Sequence, residues 1–318
     1  MNRRLLFVCD PLAEFKVYKD TTFAMMRECQ KRGIEVHVAQ LTELRAHVEG
    51  SACRLLAFAH QVRIDDPQAV QWWIEERALW RAATDFDAIV MRKDPPFDQH
   101  YLVATQLLDV AQREGVRVIN SPTALRNHGE KMAALEFPEF TPETLVTNDL
   151  GSLKEFAARL GKIVIKPLDA MGGIGVFVLE AHDPNLPSAL EVLTEHGRRS
   201  IVAQRYLPEI AQGDKRILVI NGTPVPWALA RIPAKGQSRG NLAAGGTGVV
   251  QPLSARDHEI AAHVGATLAP RGLLLMGLDV IGDCLTEINV TSPTGFQEIA
   301  EQSGFDVASA FIDAIFQP

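Results

Sequence analysis

The sequence predicts a mixed α/β protein: a parallel sheet flanked by helices in the first third, then compact α+β units built on antiparallel hairpins. In the first third, short apolar runs alternate with segments of helical period, the pattern of strands joined by crossover helices. Beyond Pro122 the apolar runs pair at close range across glycine-rich or Asn-Gly turns, the pattern of hairpins. The 318 residues are 47% hydrophobic and 22% charged, an ordinary globular composition with length for two or three domains.

Residues 5–9 are a short apolar strand. Residues 19–32 have helical spacing, with Phe23, Met26 and Cys29 on one side and Gly33 as the stop. Residues 34–38 and 88–91 read as the next two strands. The loop Arg92 to Asp98 leads into a helix over 101–113 that Gly115 ends, and 116–119 is a fourth strand. The stretch 49–81 has no clean period. Its polar alternation and Trp72, Trp73 and Trp80 predict an excursion packed onto the domain. Past Pro122 a short helical stretch carries Lys131, 142–146 leads into a helix over 150–160, and 162–179 reads as two strands around a glycine-rich turn. A helix over 186–196 and a strand over 201–205 follow. A hairpin comes next, turning at Asn221-Gly222, then an aperiodic stretch over 234–249 and a helix over 255–268. A hairpin near 278–290 and two terminal helices complete the chain. The expected units are 1–122, 123–206 and 207–318.

A formal charge of -7 and a pI near 5.7 lack the basic footprint of a nucleic-acid binder. Cys9, Cys29, Cys53 and Cys284 are far apart and form no CxxC pair, so they read as reduced structural thiols. The N-terminal apolar run is too short for a signal peptide, and no stretch approaches a membrane span; a cytoplasmic location is expected. There is no GxSxG, HExxH or GxxxxGK[ST].

The chemistry concentrates in 278–295, LDVIGDCLTEINVTSPTG. Glu287 and Asn289 are two apart and share one face of a strand. Asp279 joins them only if an odd number of residues turns the chain, since a two-residue Gly282-Asp283 turn would pair Asp279 with Thr286. Facing carboxylates repel, and a divalent cation removes that objection, so the spacing predicts a three-residue turn and a Mg²⁺ site. Lys166 ends an apolar strand, where a lysine more often reaches solvent. Gly172, Gly173 and Gly175 just beyond it can converge backbone N–H groups on an anion, which favours a phosphate site. Gln204-Arg205-Tyr206-Leu207 reads as a hinge or an ordinary linker. Asp214-Lys215-Arg216 is either a nucleotide clamp or a solvated strand entry. Arg231 and Arg239 flank a glycine-rich stretch that reads equally as a lid or a surface loop.

Together these segments resemble an ATP-grasp ligase, and more narrowly the prokaryotic glutathione synthetase family. The resemblance covers nearly the whole chain, most densely in GDKRILVI at 213–220, ARIPAKGQSRGNLAAGG at 230–246 and GLDVIGDCLTEINVTSPTG at 277–295. It implies an ATP-grasp fold behind a Rossmann-like, pre-ATP-grasp domain. It implies that Lys131 and Lys166 contact ATP phosphates under a flap of Gly172, Gly173 and Gly175. Gln204, Tyr206 and Leu207 would hold adenine, and Asp214 the ribose. Asp279, Glu287 and Asn289 would bind Mg²⁺ or Mn²⁺. Arg216, Arg231 and Arg239 would face the reacting carboxylate and phosphate, with 241–248 in a larger lid. Ser292, Pro293 and Thr294 would lie near the peptide. The implied reaction joins γ-glutamylcysteine to glycine through an acyl phosphate, in a homotetramer. Members of the family often carry arginine where Thr247 and Gln297 stand here, a departure that bears on the contacts to the substrate carboxylates. Another ATP-grasp ligase, or a non-catalytic ATP-binding module, are the alternatives.

Overall fold

The computed structural model describes residues 3–234 and 246–317. The N-terminal sheet is built on β1 (Arg4–Val8), β2 (Glu35–Ala39), β3 (Leu44–Glu49), β4 (Ala52–Ile64), β5 (Trp73–Ala82), β6 (Ala88–Met91) and β7 (Arg117–Ile119). β2, β1, β6 and β7 lie side by side and parallel, as the alternating pattern predicts. Helices α1 (Thr21–Lys31) and α2 (Gln99–Arg113) supply crossovers. The stretch 49–81 is not an excursion. β4 runs antiparallel to β2, β3 and β5, so this segment extends the sheet itself. Its polar alternation is the period of strands with one face covered.

After α3 (Pro122–Asn127), a second, antiparallel sheet has the order β10-β9-β11-β8, from β8 (Thr144–Thr147), β9 (Lys162–Pro167), β10 (Phe177–Glu180) and β11 (Ile201–Arg205). Helices α4 (Leu150–Leu160) and α5 (Leu186–Leu193) cover it, and its small core is separate from the rest. A third sheet has the order β14-β13-β12-β15-β16: β12 (Asp214–Ile220), β13 (Thr223–Ile232), β14 (Thr247–Pro252), β15 (Leu275–Ile281) and β16 (Cys284–Asn289). Between β12 and β13 both Asn221 and Gly222 have positive φ, at 48° and 78°, the primed turn that suits hairpin twist. Helices α6 (Ala255–Leu268), α7 (Phe296–Ser303) and α8 (Val307–Phe316) pack around this sheet, with α7 and α8 reaching α1. Two apolar cores each include side chains of the first and third sheets, so these two units are welded together.

Several helix limits differ from the sequence reading. α1 starts at Thr21 because the Asp20 carboxylate accepts from the Phe23 N–H at 2.7 Å and so caps it. α5 stops at Leu193, where Glu195 and His196 turn to positive φ. Lys131 sits in a turn rather than a helix. All four cysteines are free, and Cys9 and Cys29 are buried.

His37 on β2 is fully buried, and neither ring nitrogen has a hydrogen-bond partner. Burial, with Arg81 nearby, lowers its pKa to about 4 from 6.5; Glu35, 3.8 Å away, opposes this only in part. The fold therefore holds His37 neutral while the unfolded chain protonates it. Stability should be full above about pH 6.5 and fall toward pH 4, by on the order of 1–3 kcal/mol from this group. Urea unfolding of wild type and His37→Leu across that range checks it. An equal slope in both would exclude His37 as the source.

Candidate active site

A cavity of about 530 Å³ opens between the second and third sheets and is closed at one end by the N-terminal unit. Its floor is a row of charges set by strand register. On β12, Arg216 lies opposite Asp279 of β15, and Asp279 lies opposite Glu287 of β16. Asp214 lies opposite Arg231 of β13. Register alone thus gathers five residues from four strands.

The pairing of Asp279 with Glu287 is as expected, but its cause is not. The turn has two residues, Gly282 and Asp283, since Ile281 pairs with Cys284. The odd residue is Thr286, which is accommodated in a bulge that shifts the register by one. A hairpin period accepts an extra residue at either place; the tight turn keeps its two-residue form, and Thr286 hydroxyl donates to the Asp279 carbonyl at 3.1 Å.

The Asp279 carboxylate accepts from Arg216 Nε at 2.7 Å and lies 2.9 Å from Arg231 Nη2. Burial disfavours its charge, but Arg216 and Arg231 outweigh that and hold it well below the usual carboxylate range. Arg231 also donates to Asp214 Oδ2 at 2.5 Å, while Asp214 Oδ1 is buried without a partner. Burial is the main cause that raises the Asp214 pKa. Above this row stand two buried lysines. Lys131 donates to the Ala170 carbonyl at 2.7 Å and to Glu287 at 3.3 Å, tying the glycine turn to the floor. Lys166 donates to the Thr286 carbonyl at 3.2 Å, and burial lowers its pKa. Among the described residues no group of three or more His, Cys, Asp or Glu side chains could hold a metal; the candidate set is two carboxylates and one amide.

Gly172 and Gly173 line the cavity with φ of 62° and 80°, conformations that other residues adopt with strain. Gly175 and Pro293 do not line it. Gln204, Tyr206 and Leu207 do, beside Val164, Val178 and Ile281, which make an apolar slot able to clasp a planar ring. The Gln204 amide donates to Thr144 at 2.9 Å. Ser292 and Thr294 line the cavity too, and the Ser292 hydroxyl donates to Asp94. Arg239 and residues 241–245 of the expected lid lie outside the described residues. Thr247 begins the edge strand β14, exposed to solvent. Gln297 is buried.

Sequence reasoning missed Glu130 and the wall formed by Lys19, Asp20 and Glu298. Glu130 accepts from the N–H groups of Val290 and Thr291, at 3.1 and 3.2 Å, and from the Thr291 hydroxyl, at 2.7 Å. It thereby fixes where the chain leaves β16. Its place beside Lys131, in HGEK, was the signal available.

This arrangement is that of an ATP-grasp protein. The D-cycloserine synthetase DcsG superposes with a TM-score of 0.66 at 13% identity, covering 98% of each chain. The ATP-grasp ligase PsnB superposes at 0.63 and 18% identity, over 99% of this chain and 98% of that one. Residues 4–126 match the N-terminal domain, and 130–304 the ATP-grasp domain, of prokaryotic glutathione synthetase. Proteins named glutathione synthetase are 51% identical in Ralstonia nicotianae, over 98% of this chain and 95% of that one, and 50% identical in Nitrosomonas europaea, over 99% and 98%. The chain belongs to the prokaryotic glutathione synthetase family.

Proposed function

We propose that this chain joins γ-glutamylcysteine to glycine, coupled to ATP cleavage, giving glutathione, ADP and phosphate. The observation that carries this is the register-matched row of Arg216, Asp279 and Glu287 beneath Lys131 and Lys166. Near-full-length identity of about half to proteins of that name supports the substrate assignment.

In the reaction the cysteinyl carboxylate attacks the γ-phosphorus, the bond to ADP breaks, and an acyl phosphate forms. The deprotonated glycine amine then attacks the carbonyl carbon, a C–N bond forms, the acyl C–O bond breaks with phosphate as the leaving group, and the nitrogen releases one proton to solvent or phosphate. No protein nucleophile is required; the side chains position and neutralise. The apolar slot with Gln204, Tyr206 and Leu207 takes adenine. The unpartnered Asp214 Oδ1 is an acceptor that a ribose hydroxyl satisfies. Lys131 and Lys166 take phosphate oxygens under Gly172 and Gly173, with Gly175 bracing the flap. Arg216, Arg231 and Arg239 face the transferring group. Ser292, Pro293 and Thr294 border the peptide.

The donor set fits a hard divalent cation. Asp279 and Glu287 are cross-strand neighbours, Asn289 shares the Glu287 face, and Asn289 Nδ2 donates to the Gly277 carbonyl at 3.1 Å, leaving Oδ1 as the donor for a cation. These three would hold Mg²⁺ or Mn²⁺, which when bound neutralises phosphate charge. In this reading 1–122 contributes to substrate binding, 123–206 is the lid-bearing subdomain, and 207–318 holds the metal and the larger lid. A cytoplasmic homotetramer belongs to the same reading. Among the described residues no helix is long and apolar enough to cross a membrane.

ADP release over a panel of carboxylate and amine substrates tests the function. No turnover with γ-glutamylcysteine plus glycine would move the assignment to another ATP-grasp ligase. Arg239→Ala should lower turnover by about 100-fold or more while ATP affinity changes little. An equal loss in both would contradict a role in the transferring step.

A further inference from the structure

At the end of the cavity away from the adenine slot, the wall is made by the turn before α1 and the first turn of α7. Lys16, Lys19, Asp20 and Glu298 line it, and none of the roles proposed in the reaction employs them. Two of the nearby carboxylates are already committed. Asp20 caps α1, and Asp94 accepts from Ser292. Glu298 is not: its Oε2 is shielded from solvent and has no hydrogen-bond partner. Lys19 makes no ion pair among the described residues, and its recorded contact is the Tyr18 ring at 5.7 Å. Burial raises the Glu298 pKa, and the charges of Lys19 and Arg216 oppose that rise.

The two segments that carry these side chains come from opposite ends of the chain and are held together by a clamp. Gln297 Nε2 donates to the carbonyls of Val17 and Asp20, both at 2.7 Å. The Thr21 hydroxyl oxygen accepts from the N–H groups of Gly295, at 3.2 Å, and Phe296, at 3.4 Å. A partly exposed cation and a shielded carboxylate line one cavity with no ion pair between them, a combination that suits a ligand carrying both signs. An ammonium and a carboxylate on one carbon have that form.

We propose that Lys19 and Glu298 form a subsite for an α-amino-acid headgroup, Lys19 taking the carboxylate and Glu298 the ammonium, with Gln297 as the residue that positions the pair. The proposal rests on the ligase reading, in which two substrates carry that headgroup: glycine, and the γ-glutamyl end of the dipeptide.

Steady-state kinetics of the full-length protein, varying each substrate in turn, tests it. Lys19→Met and Glu298→Gln should each raise the KM of one amino-acid substrate by about 10–100-fold, the scale of a charge-assisted contact, and leave the KM of ATP unchanged. A rise confined to γ-glutamylcysteine assigns the γ-glutamyl end; one confined to glycine assigns glycine. Gln297→Ala should raise the same KM with kcat retained, and should add little in the double variant with Lys19→Met. Unshifted KM values for both amino-acid substrates, or equal rises for all three substrates, would overturn the subsite. Should Glu298→Gln fold poorly, Lys19→Met carries the test, because Lys19 is partly exposed on a turn. Calorimetric titration of glycine and of γ-glutamylcysteine into wild type and Lys19→Met reads the same subsite without turnover. An inactive wild type would count against the ligase reading, whereas an active wild type with unshifted variants would count against the subsite alone.

Discussion

Asp279→Asn is expected to lower folding stability by about 3–5 kcal/mol and to abolish measurable turnover, the two losses arising from one carboxylate. Asp279 is the anion between two buried guanidinium groups, Arg216 and Arg231. An amide of the same shape fills the space but leaves Arg216 without its carboxylate partner and Arg231 with Asp214 alone, in a buried site. Guanidinium-chloride unfolding and ADP release on the same preparation measure the pair of effects. A variant within about 0.5 kcal/mol of wild type would mean that the arginines are compensated elsewhere. The wild-type stabilisation has a definite pH sense. Its pKa is depressed in the fold, so the contribution is present above the ordinary carboxylate pKa and is lost as pH falls below it.

Glu287→Gln, one strand away, should separate activity from stability. Its recorded partner is Lys131 at 3.3 Å, and a Gln oxygen can still accept that bond. The stability cost should be at most about 1–2 kcal/mol. Turnover should fall by about 100- to 1000-fold, because a negative donor is removed where charge must be neutralised in the transferring step. The stabilisation of the protein by Mg²⁺ with ADP, read as a shift in melting temperature, should shrink with it. A variant that kept the full Mg²⁺·ADP shift and lost only turnover would remove Glu287 from the metal set and leave it as the partner of Lys131.

Much of the local architecture was legible in the sequence. The parallel β2-β1-β6-β7 core follows from apolar runs alternating with helical segments, and Asn221-Gly222 announces its hairpin, because both are short-range patterns with one stereochemical solution. The stretch 49–81 was not legible as sheet. Its partners β2 and β3 are chosen by pairing across the sheet, and its alternation alone does not distinguish a strand of the main sheet from a separate excursion. Of the site, the residue types were readable where one segment carried them: the glycine turn after Lys166, and Glu287 with Asn289 on one strand face. What Glu130 and Gln297 hold was not readable, since their partners are backbone groups more than 100 residues away.

The sequence by itself determined most of the helices and the strands outside 44–82, the two-apart placement of Glu287 and Asn289, and the need for an odd residue between Asp279 and Glu287. Only the tertiary structure decided that the odd residue is the bulged Thr286 rather than a longer turn. It alone showed that Asp279 is shared by two arginines, and that Lys19 and Glu298 line the same cavity. The division has a physical cause. Dihedral preference and hydrophobic period act over a few residues and are written locally, whereas register and convergence of side chains are set by packing among segments that the chain order separates.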